Sequence, residues 1–186
     1  YFFAEFSKPF DSFGTMTIGD LYAGNKEING RNTGSYLTFN GPVNSVEVRI
    51  GISYIDEIQA KDNLFREMKG KSFEQVSDAS YKIWKDALGK IQVTGGTERQ
   101  KRIFYTSLYR AMERMVNISE YGRYFSGYDK KVHEDNGRPF YVDDWLWDTF
   151  RSLHPLLSIL DPAKQVDMVQ SYVLMYDQSG WLPTFP

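Results

Sequence analysis

Near residue 55 the spacing of apolar side chains changes from two to about 3.6, and no single regular element accommodates both periods. Before the change, Val46-Glu47-Val48-Arg49-Ile50-Gly51-Ile52 alternates apolar and polar residues, which predicts a strand with one buried face. Tyr1-Phe2-Phe3-Ala4-Glu5-Phe6 predicts a short aromatic strand ended by Pro9, and Thr15-Met16-Thr17-Ile18 and Ser35-Tyr36-Leu37-Thr38-Phe39 read as weaker strands. Gly41-Pro42 predicts a turn, and the polar, glycine-punctuated segment 25–34 a loop or hairpin tip. One-sided patterning of this kind points to the end of an antiparallel sandwich.

After the change the signals are helical. Asp56 caps a helix that runs to about Met68 and stops at Lys69-Gly70. Ser72-Phe73-Glu74-Gln75 and Thr97-Glu98-Arg99-Gln100 are capping boxes, in which a hydroxyl and an amide side chain each satisfy an orphan backbone N–H. Gly89 is placed to end the first of these helices in a left-handed cap. In the second, Phe104, Leu108, Ala111 and Met115 recur on one face. Residues 117–142 lose the helical period. They read as a long excursion with a short hairpin and a polar tip around His133-Glu134-Asp135-Asn136-Gly137. A helix is predicted from about Asp144 to Leu160, capped by Asp144 and kinked at Pro155. Asp161-Pro162 opens another, with Val166, Val169, Tyr172 or Val173, and Tyr176 facing inward and Gly180 at its end. The expected class is therefore α+β: the end of a β-sandwich domain (1–55), a helical linker (56–71) and the first helices of a helix-pair toroid (72–186). The start inside a strand, without an initiator Met, and the closing loop predict a piece of a longer protein.

Several function classes are unfavoured by composition. A formal net charge of −2 argues against a nucleic-acid partner bound through its phosphates. With no Cys and two His, neither a thiolate nor a multi-His metal centre can be built from this chain. No apolar run is long enough to span a bilayer. Aromatic residues reach 16%, which favours large cores or stacking surfaces.

The densest mixture of chemistries is Phe140-Tyr141-Val142-Asp143-Asp144-Trp145-Leu146-Trp147-Asp148-Thr149-Phe150-Arg151-Ser152-Leu153-His154-Pro155-Leu156. Leu146, Phe150, Leu153 and Leu157 fit a core at helical spacing. Trp147, Asp148 and Arg151 are left as the candidate lip of a sugar site. An indole face can cover the apolar side of a pyranose, and a carboxylate can accept from two neighbouring hydroxyls. The plainer readings are buried packing for Trp147 and an intrahelical pair between Asp148 and Arg151. Trp181, in Gly180-Trp181-Leu182-Pro183, is a further candidate platform. His154 reads as a structural histidine, and His133 to Asn136 as a solvated loop.

With these residues in view, the chain resembles the family 92 glycoside hydrolases, exo-acting α-mannosidases. Val48-Arg49-Ile50-Gly51-Ile52-Ser53-Tyr54 carries the likeness, with Ala60-Lys61-Asp62-Asn63-Leu64 and Glu67 after it. So do Phe104-Tyr105-Thr106-Ser107-Leu108-Tyr109-Arg110, Leu146-Trp147-Asp148-Thr149-Phe150-Arg151 with His154-Pro155-Leu156, and Gly180-Trp181-Leu182-Pro183. Arg110 stands where that pattern commonly has His, which bears on the leaving sugar. The resemblance implies an N-terminal β-sandwich joined to an (α/α)6 toroid. It also implies inverting release of terminal mannose from N-glycans or mannan, a calcium ion with most ligands outside this chain, and a periplasmic or secreted location. The same resemblance puts the general acid and base beyond Pro186, in the remaining parts of the enzyme, and leaves Trp147, Asp148, Arg151 and Trp181 as substrate-binding residues. The alternatives are a non-catalytic glycan-binding module and a helical-toroid glycosidase of other sugar specificity.

Overall fold

The structure, a computed structural model, describes residues 1–41 and 45–185; Pro42 of the expected Gly41-Pro42 turn lies outside them. Strand β1 (Phe2–Phe6) pairs antiparallel with the last strand before the helices, setting Phe2 opposite Ile52 and Phe6 opposite Val48. Strands β2 (Ser12–Met16), β3 (Leu21–Ala23) and β4 (Gly34–Thr38) form a separate antiparallel sheet with β2 in the middle. The strand pairing with β1 is β5 (Val48–Ile52).

Helix α1 (Glu57–Met68) lies on the β1–β5 pair, with Phe65 and Phe3 ring centroids 6.2 Å apart. Asp56 caps it, accepting from the Gln59 N–H at 2.7 Å. Gly51 permits the close approach, because a Cβ there would fall 2.1 Å from the Ala60 carbonyl oxygen. Both capping boxes form at the starts of α2 (Phe73–Leu88) and α3 (Glu98–Met112), and Trp84 and Tyr109 join these helices at 4.5 Å. Gly89 does not take the expected left-handed cap. Its φ is −69°, and its N–H continues the helical ladder to Lys85. Helix α3 ends before Met115, which is buried in the core beyond the helix rather than on its face.

The excursion consists of two antiparallel pairs. Strand β6 (Val116–Asn117) pairs with the strand at Tyr141–Val142, and β7 (Arg123–Phe125) pairs with β8 (Val132–Glu134). His133 therefore lies within β8, held by Asp129 at 2.9 Å, and not at a polar tip; the turn of this hairpin falls at 126–131. After β9 (Tyr141–Val142) the expected long helix is broken into α4 (Leu146–Thr149) and α5 (Leu153–Leu160). Pro155 is the third residue of α5, where a missing N–H breaks no helical bond, so it begins a helix instead of kinking one. The break also removes Phe150 from the core, and its side chain is 50% exposed.

Helix α6 (Pro162–Ser179) starts at Asp161-Pro162 and ends at Gly180 with φ +80°. Its buried face is Gln165, Met168, Ser171, Tyr172 and Met175, while Val166, Val169, Val173 and Tyr176 are exposed. The expected face is rotated because part of what α6 packs against is polar. Ser171 Oγ accepts from the Tyr141 N–H at 2.9 Å, and Gln165 bonds to His154. Around it gather Met115, Tyr124, Phe140, Tyr141, Leu157, Met168, Tyr172 and Met175, the main apolar core, with Leu146 and Leu153 packed against it. Tyr124 and Phe140 stack at 4.0 Å in this core.

Candidate functional site

The crowded stretch becomes a short helix whose two sides differ. Trp145 and Trp147 lie nearly parallel, ring centroids 6.4 Å apart, and Phe185 approaches both at 5.9 and 6.4 Å. Trp147 is 59% exposed, so it retains surface on which a sugar ring could stack. Arg114 lies over Trp145 at 4.3 Å and pairs with Asp143 at 2.8 Å. Asp148 is exposed and lines a shallow pocket of about 270 Å³ with Ala111, Thr149, Ser152, Leu153 and Leu156.

The four predicted residues are not one contact cluster. Trp147 joins the aromatic group, and Asp148 faces the adjoining pocket. Arg151 lies over Phe150 at 5.3 Å. No ion pair links Arg151 to Asp148 among the described residues. Trp181 is 80% exposed, its backbone N–H bonded to Ser179 Oγ at 3.2 Å. Sequence reasoning missed Arg114, which is brought to Trp145 by strand pairing and carries no local signal.

Asp144 is corrected from helix cap to buried anchor. Its exposure is 0%, and α4 has no side-chain cap. Oδ2 accepts from Thr149 Oγ1 at 3.0 Å, from His154 Nε2 at 3.0 Å and from the Tyr172 hydroxyl. Oδ1 has no hydrogen-bond partner. Burial pushes this carboxyl upward, but bonds from Tyr172, His154 and Thr149 outweigh it and hold it below its ordinary value. Burial, then the bond to Asp144, pushes the Tyr172 phenol well above its usual range, so it remains a donor. His154 is the structural histidine that was expected, since its two ring nitrogens meet Asp144 and Gln165.

A larger cavity of about 540 Å³ lies where β5, α1 and the excursion meet, and Glu120 borders it. Glu120 accepts from the Tyr54 N–H and Asn63 Nδ2, both at 2.8 Å, and Gln59 bridges Asn63 to Arg123. Among the described residues no group of three or more His, Asp or Glu is placed to hold a metal ion.

The family model described as "Glycosyl hydrolase family 92 catalytic domain" matches residues 59–186, and "Glycosyl hydrolase family 92 N-terminal domain" matches residues 1–53. The chain belongs to glycosyl hydrolase family 92. Among family structures, the inverting mannosidase BT2199 of Bacteroides thetaiotaomicron superposes on 100% of the chain, with TM-score 0.90 and 32% identity. The family 92 glycosyl hydrolase ccman5 covers 96% of it, with TM-score 0.85 and 28% identity. A secreted, uncharacterized glycosidase of Arthroderma benhamiae is 37% identical over 87 residues, 42% of the chain. The chain spans about a quarter of the two solved structures, 26% and 24%, and 11% of the Arthroderma protein. Mixed helices and strands in the family's arrangement are thus established. No helix among the described residues is long and apolar enough to cross a membrane.

Proposed function

We propose that this chain is part of a mannosidase that releases terminal mannose from α-mannosides of N-glycans or mannan with inversion, and that it supplies one wall of the −1 subsite, which holds the terminal mannose. The observation that carries the reading is the whole-chain likeness to an inverting mannosidase at 32% identity. In this reading residues 1–55 end a β-sandwich, 56–71 link, and 72–186 open an (α/α)6 toroid. Trp147 offers its exposed face to the pyranose, Asp148 accepts from sugar hydroxyls, and Arg151 and Trp181 complete the wall. Inversion needs a protonated acid at the leaving oxygen and a base that activates water, roughly 6.5–9.5 Å apart. Asp144 cannot serve, because it is sealed from substrate, and Asp143 is paired with Arg114. The resemblance to the family, not the exclusion of these two residues, assigns the pair to other parts of the enzyme. Calcium belongs to the proposal as an ion whose ligands lie mostly outside this chain. A periplasmic or secreted location is supported by the likeness to a secreted glycosidase of Arthroderma benhamiae.

The test is turnover of an aryl α-mannoside by the full-length protein and its Asp148→Ala variant. The variant should raise KM and lower kcat, with kcat/KM down by about tenfold or more, the loss of an interaction strengthened in the transition state. Wild-type kinetics in the variant would remove Asp148 from the site. Cleavage of α-glucosides but not α-mannosides would replace the sugar, and no glycosidase activity at all would leave a glycan-binding module.

A further inference from the structure

The four residues of α4 carry Trp147 and Asp148 with no side-chain cap, and a helix this short is not stable by itself. Its pose has to come from tertiary contacts, and the polar ones converge on one atom. Asp144 Oδ2 receives Thr149 Oγ1 from the end of α4, His154 Nε2 from α5 and the Tyr172 hydroxyl from α6. A carboxylate only accepts, so Nε2 carries the proton, and Nδ1 is then free to accept from Gln165 Nε2, 3.0 Å away on α6. Thr149 Oγ1 also lies 3.2 Å from the Trp145 carbonyl, which closes the arc from 144 to 149 on itself.

We propose that Asp144, through Thr149, is a positioning residue for sugar binding: it clasps the arc that bears Trp147 and Asp148 to the buried start of α5 and the buried face of α6. The inference rests on the reading of Asp148 as a sugar ligand. A core that needed only packing would not favour a carboxylate in a site with 0% exposure and one oxygen unpartnered. What the carboxylate supplies is three acceptor bonds to three separate elements, which an apolar side chain cannot make. Asp144 itself touches no substrate; it acts on where Asp148 sits.

A double-mutant cycle in the full-length protein tests this. Thr149→Val keeps the shape of the side chain and removes its hydroxyl, with the bond to Asp144 and the local one to the Trp145 carbonyl, and Tyr172→Phe removes a second donor from the same oxygen without touching that local bond. Both should fold even if Asp144→Asn does not, as a thermal unfolding scan would verify. Each is expected to lower kcat/KM on an aryl α-mannoside by about tenfold or more, the scale of a small misplacement in a bound geometry. In the Asp148→Ala background Thr149→Val should produce a clearly smaller fall than in the wild-type background, because the part of its effect that passes through Asp148 is already lost and only the displacement of Trp147 remains. A further fall equal to that in the wild-type background would show a general structural effect and overturn the clasp, as would unchanged kinetics in Thr149→Val and Tyr172→Phe. If Asp148→Ala alone were kinetically silent, the sugar-ligand reading would fail first and the clasp with it. That result is distinct from an additive cycle on an impaired Asp148→Ala.

Discussion

At the scale of single residues, Asp144 shows how a correct local rule can lead to the wrong role. An acid just before a helical run is the pattern of an N-cap, and nothing within four residues contradicts it. The partners that override the pattern, His154 and Tyr172, are ten and twenty-eight positions away. Its carboxyl has a folded pKa below the ordinary value of 3.8, so its stabilising contribution is fully present above that value and is lost as pH falls through the folded one. The thermal midpoint should accordingly drop more steeply between pH 5 and pH 3 in the wild type than in Asp144→Asn, and parallel profiles would contradict the assignment. Asp148, by contrast, was legible as an exposed acid, because its surroundings are local. Trp147 was legible only by weighing stacking against packing, and the structure gives it both an indole neighbour and free surface.

At the scale of elements, the two capping boxes and the Asp161-Pro162 start were read correctly, whereas the Gly89 cap, the face of α6 and the place of Pro155 were not. The two capping boxes satisfy backbone N–H groups from within their own turn, so they form wherever the helix forms. Ser72→Ala and Thr97→Ala should each lower stability by about 1 kcal/mol, read as a shift in denaturant midpoint. Of the expected face of α6 only Tyr172 is buried; the rest was misassigned because a stripe of valines looks like core, whereas Gln165 and Ser171 look like surface. Only the polar anchors on α5 and β9 make the second stripe the buried one. Pro155 was misplaced for a related reason, since proline both breaks a helix and begins one. Which of these happens depends on the turn at 150–152, which has no strong residue signature.

At the scale of the whole molecule, buried polar contacts join the end of the β region and α1 to the excursion at 117–142. Glu120 ties Tyr54 at the end of the β region to Asn63 on α1, and Arg123 extends the link through Gln59. Glu120→Ala would leave the Tyr54 N–H and the Asn63 amide without this acceptor, at a cost of about 1–3 kcal/mol in unfolding free energy measured by urea titration. Gly51→Ala should destabilise by a similar amount, about 1–3 kcal/mol, because α1 would have to move off β5. This joint was hidden in the sequence, where Asn63 and Glu120 stand 57 residues apart. The clasp at Asp144 has a practical consequence for anyone who would borrow the site. Residues 146–151 cannot be grafted onto another scaffold as a portable motif, because the instructions for their pose are written in Gln165, His154 and Tyr172. A transplant would have to bring two further helices with it, and a design that copied only the Trp-Asp-Thr block would inherit its side chains without their aim.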